Sequence, residues 1–248
     1  RQMCIRDSNG GMTCPNRDGK ISEGGCIFCS AGGSGDFAAN FNPDIAKQIE
    51  QAKTLVSKKY QGDRFIAYFQ AYTNTYAPVE YLRKLFMDTI MRDDIAILSI
   101  ATRPDCLGDD VIELLAELNR IKPVWVELGL QTINESTARL INRGYELSCY
   151  DEAVRRLRNI GVEIITHMII GLPYETKEDI LSTAEYIGKT ANGIKLQLMH
   201  ILKNTKLLEM YEKGEFKALT EEEYIEIVCE IISICLLYTS PSPRDYAA

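Results

Sequence analysis

Short apolar runs rich in Ile, Val and aromatics recur near residues 65–69, 95–100, 124–128, 162–170 and 194–199. Each is followed by a helical pattern, and the interval of about thirty residues is the length of a strand-helix unit. Between the runs, Ile45, Ile49, Ala52 and Val56 fall on one helical face, as do Val111, Leu114, Leu115 and Leu118, and Ile180, Leu181, Ala184 and Ile187. Each such helix can cover one face of a sheet. Alternation without a hairpin signal predicts an α/β fold of parallel strands joined by right-handed crossovers. Five units are visible, and a sixth strand would lie just upstream of Cys14.

Boundary residues agree with this reading. Asn42-Pro43 places a capping side chain before a proline at the first helical position. Thr176 with Asp179, and Thr220 with Glu223, fit the capping-box spacing, and Leu219 and Tyr224 are placed for a hydrophobic staple.

Composition narrows the class. With 46% hydrophobic and 25% charged residues the chain reads as an ordinary globular protein, which excludes disorder and collagen-like fibres. The longest stretch free of Asp, Glu, Lys and Arg is residues 65–79, interrupted by polar side chains and shorter than the roughly 20 apolar residues of a membrane helix. Lys and Arg number 28 against 35 Asp and Glu, a net charge of −7, and no basic run occurs, which lowers the case for a nucleic-acid partner. Eight cysteines in 248 residues are far too few for a disulfide scaffold, so a reducing cytoplasm is expected.

The two ends stand apart. Residues 3–8 and 235–245 resemble translations of the transposon adapter used to prepare sequencing libraries, so residues 1–8 and 235–248 are expected to be artefactual and residues 9–234 to form one domain. On that reading the first strand is truncated or replaced by foreign residues, and an edge of the sheet is left open.

Chemistry concentrates in Cys14, Cys26 and Cys29, spaced C-x11-C-x2-C, with Gly24-Gly25 before the pair. Two thiolates separated by two residues can bind one metal centre, and a glycine-rich loop lets a third return to it. A structural zinc needs a fourth ligand, and neither His167 nor His200 lies near in sequence. Three thiolates on a four-iron cluster would leave one iron open to a ligand. A zinc knuckle and a fortuitous trio of core cysteines are the bland alternatives.

Further motifs follow in order: Cys14-Pro15-Asn16-Arg17-Asp18-Gly19, Cys26-Ile27-Phe28-Cys29, Tyr68-Phe69-Gln70-Ala71-Tyr72-Thr73-Asn74-Thr75, Thr102-Arg103-Pro104-Asp105-Cys106, Glu127-Leu128-Gly129-Leu130-Gln131-Thr132, Asn142-Arg143-Gly144 and Gly171-Leu172-Pro173. This series resembles the radical S-adenosylmethionine (SAM) enzymes over essentially all of residues 9–234. It is most similar to an uncharacterised bacterial branch related to the Elongator catalytic subunit and the oxygen-independent coproporphyrinogen oxidase. The long first spacer departs from the usual C-x3-C-x2-C and suits that branch.

The resemblance implies a partial (β/α)6 radical-SAM barrel with substrate entering at the carboxyl ends of the strands. It implies a 4Fe-4S cluster held by Cys14, Cys26 and Cys29, with SAM on the fourth iron. One electron would cleave SAM to methionine and a 5′-deoxyadenosyl radical that takes hydrogen from a substrate whose identity the sequence does not give. Phe28 would pack near the adenine, and the backbone of Gln70, Ala71, Tyr72 and Thr73 would meet the SAM amino group. Gln131 would reach the ribose, Arg143 the carboxylate through paired hydrogen bonds, and His167 would stand where the oxidase has a ribose-binding aspartate. Ala101 replaces a glutamate that holds the amino group, leaving Thr102 or Glu127 to compensate. Glu127 and Asp105 are expected at strand ends facing the barrel mouth. Cys106, near the mouth, reads first as a small buried hydrophobe and second as a radical relay or substrate thiol, and His200 could approach the adenine or substrate. A low-potential donor of flavodoxin or ferredoxin type is the implied partner. A non-catalytic metal-binding module is the rival reading, and an RNA-modifying enzyme a third.

Overall fold

The computed structural model describes residues 3–30, 33, 42–56, 62–234 and 238–241. Among them, seven parallel strands pair strictly in chain order: β1 (Met3–Ser8), β2 (Phe65–Phe69), β3 (Ile95–Thr102), β4 (Val124–Gln131), β5 (Glu163–Ile170), β6 (Gly193–Leu198) and β7 (Tyr238–Pro241). Helices α1 (Ile45–Val56), α2 (Val79–Ile90), α3 (Asp109–Ile121), α4 (Glu135–Leu140), α5 (Leu147–Asn159), α6 (Lys177–Thr190), α7 (Lys206–Glu212) and α8 (Glu221–Ile234) alternate with them, and a 3-10 turn at Pro104–Cys106 follows β3.

All five expected strands form, with β3 and β4 each running further than their apolar runs suggest. The strand expected upstream of Cys14 is β1, and it pairs with β2 using residues read as adapter. The second such segment supplies β7, which pairs with β6 where no strand is expected from the sequence. Both segments therefore sit at the two edges of the sheet.

Each strand divides its side chains by the period of two. Ala67 and Phe69, Leu98 and Ile100, Val124, Val126, Leu128 and Leu130, Ile164, Met168 and Ile170, and Ile194 and Leu196 pack with the buried faces of the helices into the main core. Tyr68, Ser99, Glu127, His167 and Lys195 take the alternate positions and face the other side. A flat sheet would hold β2 and β6, four places apart, at a distance of about 19 Å. Lys195 Nζ nevertheless lies 2.9 Å from the Tyr68 hydroxyl, so the sheet curls into an open barrel whose concave face carries these polar groups.

Local signals place the helices. Thr176 and Asp179 form the expected capping box at α6, and Thr220 and Glu223 exchange the same pair of bonds at α8. Leu219 and Tyr224 both pack against the core. The start of α1 differs from expectation: Asp44, not Asn42, caps it, accepting from Ala46 N at 3.1 Å and Lys47 N at 3.4 Å. Asn42 Oδ1 accepts from Asp44 N, a turn that delays the helix by two residues.

A second, smaller apolar cluster of Ile27, Ile141, Ile169, Leu172, Met199, Leu207, Met210 and Phe216 lies apart from the main core, with Phe28 packed against it. Ile27 N donates to Ile141 O at 3.2 Å, and Leu207 N to Ile27 O at 3.0 Å. This cluster fastens the paired-cysteine turn to the strand ends.

Candidate functional site

The three cysteines border one cavity of about 200 Å³ enclosed by the concave face and its loops. Gly24 and Gly25 turn the chain into the Cys26-Cys29 pair at φ of +82° and +86°, a region that suits glycine. At Gly25 a Cβ would come within 2.9 Å of the Arg17 side chain, so the close approach also excludes larger residues. Asn16 Nδ2 donates to the Asn142 carbonyl, and Asn142 Nδ2 donates back to Ser22 Oγ and Gly25 O, each at 2.9 Å. The Cys14 loop and the loop carrying Arg143 are thereby sewn together.

Electrostatics divide the two paired thiols. Their mutual hydrogen bond raises Cys26 and lowers Cys29, and burial adds to the rise at Cys26. The guanidiniums of Arg103 and Arg17 draw Cys26 and Cys29, respectively, toward the thiolate. Among the described residues no three His, Cys, Asp or Glu side chains converge closely enough to hold a single metal ion. The three thiols line the wall of the cavity.

Cations gather on the same side. Arg103 grips Asp105 with Nε at 2.9 Å and Nη2 at 2.7 Å, and its guanidinium lies 5.0 Å from the Tyr145 ring centroid. Arg143 lies 4.7 Å from the same centroid. It is fully buried, donating to the carbonyls of Tyr145, Leu130 and Thr132 and to Glu135 Oε1 at 3.0 Å. Arg143 lines the cavity as expected, but most of its donors hold the β4–α4 loop and the following turn. Asp105 is engaged by Arg103 in the 3-10 turn after β3.

Beneath the cavity a polar network crosses five strands. Glu127 Oε1 accepts from Ser99 Oγ at 2.5 Å, while Oε2 meets His167 Nε2 at 2.6 Å and Lys195 Nζ at 3.0 Å. Lys195 also reaches the Tyr68 hydroxyl and lies 4.3 Å from its ring centroid. All five residues are buried. Burial pushes the Glu127 carboxyl up, but the Lys195 charge and the bonds from His167 and Ser99 outweigh it and hold the group well below the ordinary range. Burial and the Lys195 charge hold His167 down against the opposing pull of Glu127. The expected place of Glu127 at a strand end is corrected: β4 runs on to Gln131, so Glu127 lies inside the barrel, below the mouth.

Gln70, Tyr72 and Thr73 line the wall next to the cysteines, whereas Ala71 is buried and does not. Tyr72 adopts φ of 60°, the left-handed region that a glycine would occupy without strain. Thr102 lines the cavity too, with its hydroxyl 2.6 Å from Thr75 Oγ1. Gln131 ends β4 at φ of 71°, and its Oε1 is buried with no hydrogen-bond partner. An orphaned carbonyl in a cavity wall asks for a donor from a ligand. Phe28, Glu127, His167 and Arg143 complete the expected set on the wall, and His200 lies there as well.

Sequence reasoning missed Tyr68, Ser99 and Lys195 below the floor, and Arg17, Tyr145 and Gln197 on the wall. The signal was available in β6, where Lys195 and Gln197 alternate with Ile194, Leu196 and Leu198 in a strand that a two-sided apolar environment would make continuously hydrophobic. Cys106 lies outside the cavity lining, and burial pushes its thiol up to about 12, which keeps it protonated at neutral pH.

The family model described as the Radical SAM superfamily matches residues 14–187, and that described as the Radical_SAM C-terminal domain matches residues 191–238. The uncharacterized protein YtqA of Bacillus subtilis is 48% identical over 227 residues, 91% of this chain and 70% of that protein. Among solved structures, an N-terminally deleted Elp3 of Methanocaldococcus infernus superposes with a TM-score of 0.65 at 21% identity, covering 79% of this chain and 51% of that one. Coproporphyrinogen III oxidase (HemN) of Escherichia coli, described as a radical SAM enzyme, gives 0.56 at 16% identity, covering 84% of this chain and 49% of that one. This chain thus spans about half the length of each, and both likenesses show the fold, the two relatives being those the motifs resemble.

Proposed function

Because the chain belongs to the radical SAM superfamily, we propose that it is an enzyme that holds a 4Fe-4S cluster through Cys14, Cys26 and Cys29 and binds SAM in the adjoining cavity. The observation that carries this reading is that Cys14, Cys26 and Cys29 all border one cavity. The donor set fits the group: three sulfurs around one cavity, with the Cys29 thiol lowered by its bond to Cys26 and by the Arg17 guanidinium. The cluster, when bound, supplies the electron that cleaves SAM to methionine and a 5′-deoxyadenosyl radical able to take hydrogen from a substrate.

The chain's own residues supply orientation and enclosure. Gly24 and Gly25 bring the paired thiols to the cavity, and Ile27 anchors them in the second apolar cluster. Gln131 offers its unpaired Oε1 to a ligand donor, and Arg143 keeps that strand end in place through the Leu130 and Thr132 carbonyls. Phe28, Ile169 and Leu198 give the wall apolar surface suited to a flat base and to keeping water from a reactive species. The substrate, and an electron donor of flavodoxin or ferredoxin type, complete the proposal.

Anaerobic reconstitution followed by dithionite and SAM tests it. Iron and acid-labile sulfide near four of each per chain, with 5′-deoxyadenosine formed and lost in Cys14→Ala, Cys26→Ala and Cys29→Ala, is the expected outcome. A folded chain that takes zinc in preference and never cleaves SAM would make the metal-binding module the better account.

A further inference from the structure

We propose that Lys195 is a positioning residue: through Glu127 it holds His167 as a neutral imidazole whose Nδ1 presents a lone pair to the cavity, so that this part of the floor accepts a ligand hydroxyl and disfavours an anion.

The argument is one of donors and acceptors. An ionised carboxylate only accepts hydrogen bonds, so the nitrogen bonded to Glu127 Oε2, His167 Nε2, carries a proton. A lone glutamate at 2.6 Å would favour a second proton on Nδ1 and make the ring an imidazolium. Lys195 changes that balance. Its ammonium sits 3.0 Å from the same oxygen, Oε2, in a buried setting, and supplies the one positive charge Glu127 needs. Among the described residues the charged groups facing the ring come from the two neighbouring strands, Glu127 on β4 and Lys195 on β6. Register supports the arrangement, since His167 pairs directly with Lys195 across β5 and β6. Both Glu127 and His167 line the cavity, while Lys195 lies behind them. Burial and the Lys195 charge act on the ring in the same sense.

A neutral ring protonated on Nε2 has one unshared pair, on Nδ1, and its complement is an O–H. An imidazolium in the same place would donate, and would suit a carboxylate or phosphate. Lys195 therefore selects which of these the floor recognises. A ribose hydroxyl and a substrate hydroxyl share the required chemistry. Assignment to ribose rests on the SAM reading above; the protonation state of His167 does not.

The chain has two histidines, so nitrogen-detected spectra of the imidazoles in the full chain resolve both. The expected result is an Nε2–H tautomer for His167 that persists at neutral pH and titrates below the ordinary histidine value. Lys195→Met should move that midpoint up by roughly one unit or more, and Lys195→Arg should restore it. An imidazolium at neutral pH in the unaltered protein, or a midpoint unmoved by Lys195→Met, overturns the proposal; the first readout stands even if the variant does not fold. Calorimetry with 5′-deoxyadenosine separates the two hydroxyl sources. A loss of about tenfold in His167→Phe, absent with 2′,5′-dideoxyadenosine or 3′,5′-dideoxyadenosine, assigns the bond to ribose, and unchanged affinity for all three overturns that assignment. Because the tautomer is read without a cluster, failure of SAM cleavage and failure of this inference remain distinct.

Discussion

Asn142 Nδ2 donates to the Gly25 carbonyl at 2.9 Å, joining the residue before Cys26 to the residue before Arg143. The same amide group reaches Ser22 Oγ, and Asn142 holds φ of +57°, a conformation that asparagine tolerates better than most residues. Asn142→Ala should lower stability by about 2–3 kcal/mol, through two lost bonds and left-handed strain. Asn142→Gly, which removes only the bonds, should fall between the two proteins. Thermal melts read the order, and iron content after reconstitution should follow it. Equal melting of all three would mean that this link carries no weight.

Gly144 makes the neighbouring close approach. A Cβ there would lie 2.7 Å from Asn16 Oδ1 and 3.1 Å from Ile21 Cγ2, at φ of +82°. Gly144→Ala should therefore cost about 1–3 kcal/mol and loosen the Cys14 loop. Limited proteolysis within residues 14–26, faster in the variant, is the measurement.

Gln131 opposes stability to ligand binding. Its buried Oε1 has no partner, so Gln131→Met, similar in shape and apolar, should stabilise the ligand-free chain by about 1 kcal/mol. SAM affinity of the reconstituted variant should drop by about tenfold. A melting point below that of the unaltered chain contradicts the first half, and intact affinity the second.

Glu175 gives a pH signature. Burial pushes its carboxyl from the ordinary 4.5 to about 7, against hydrogen bonds from Thr132 and Thr137. The folded state thus binds the proton more tightly than the unfolded state, and the contribution is complete below about pH 4.5 and lost as pH rises through 7. Glu175→Gln should flatten the decline in stability over that window. Denaturant melts across pH 4.5–8 test it, and a variant with an unchanged slope would assign the decline to other groups.

The five inner strands and the faces of α1, α3 and α6 were legible because each rests on local pattern, the apolar runs and the helical period, and the C-x11-C-x2-C spacing singled out three cysteines that line one cavity. The Thr176 and Asp179 box was legible for the same reason. Asn42 misled by two residues because Asn42 and Asp44, on either side of Pro43, can both cap. The network of Tyr68, Ser99, Glu127, His167 and Lys195 could not be assembled from spacing alone, since its members come from five strands and meet only when the sheet curls. Arg143 shows the complementary limit: its position was readable, while its engagement with three carbonyls depends on how one loop closes.

Because β1 through β7 pair in the order in which they occur, no strand of this sheet waits for a partner made much later. Each new unit can dock on the last as the chain emerges from a ribosome, so the barrel is able to grow from one end with modest loop-closure entropy. Within the network on the concave face, the Lys195 to Tyr68 contact joins groups 127 residues apart. Its formation marks the moment when a growing ribbon becomes a vessel, and a buried ammonium arriving last makes that step sensitive to whether the earlier strands are already in register.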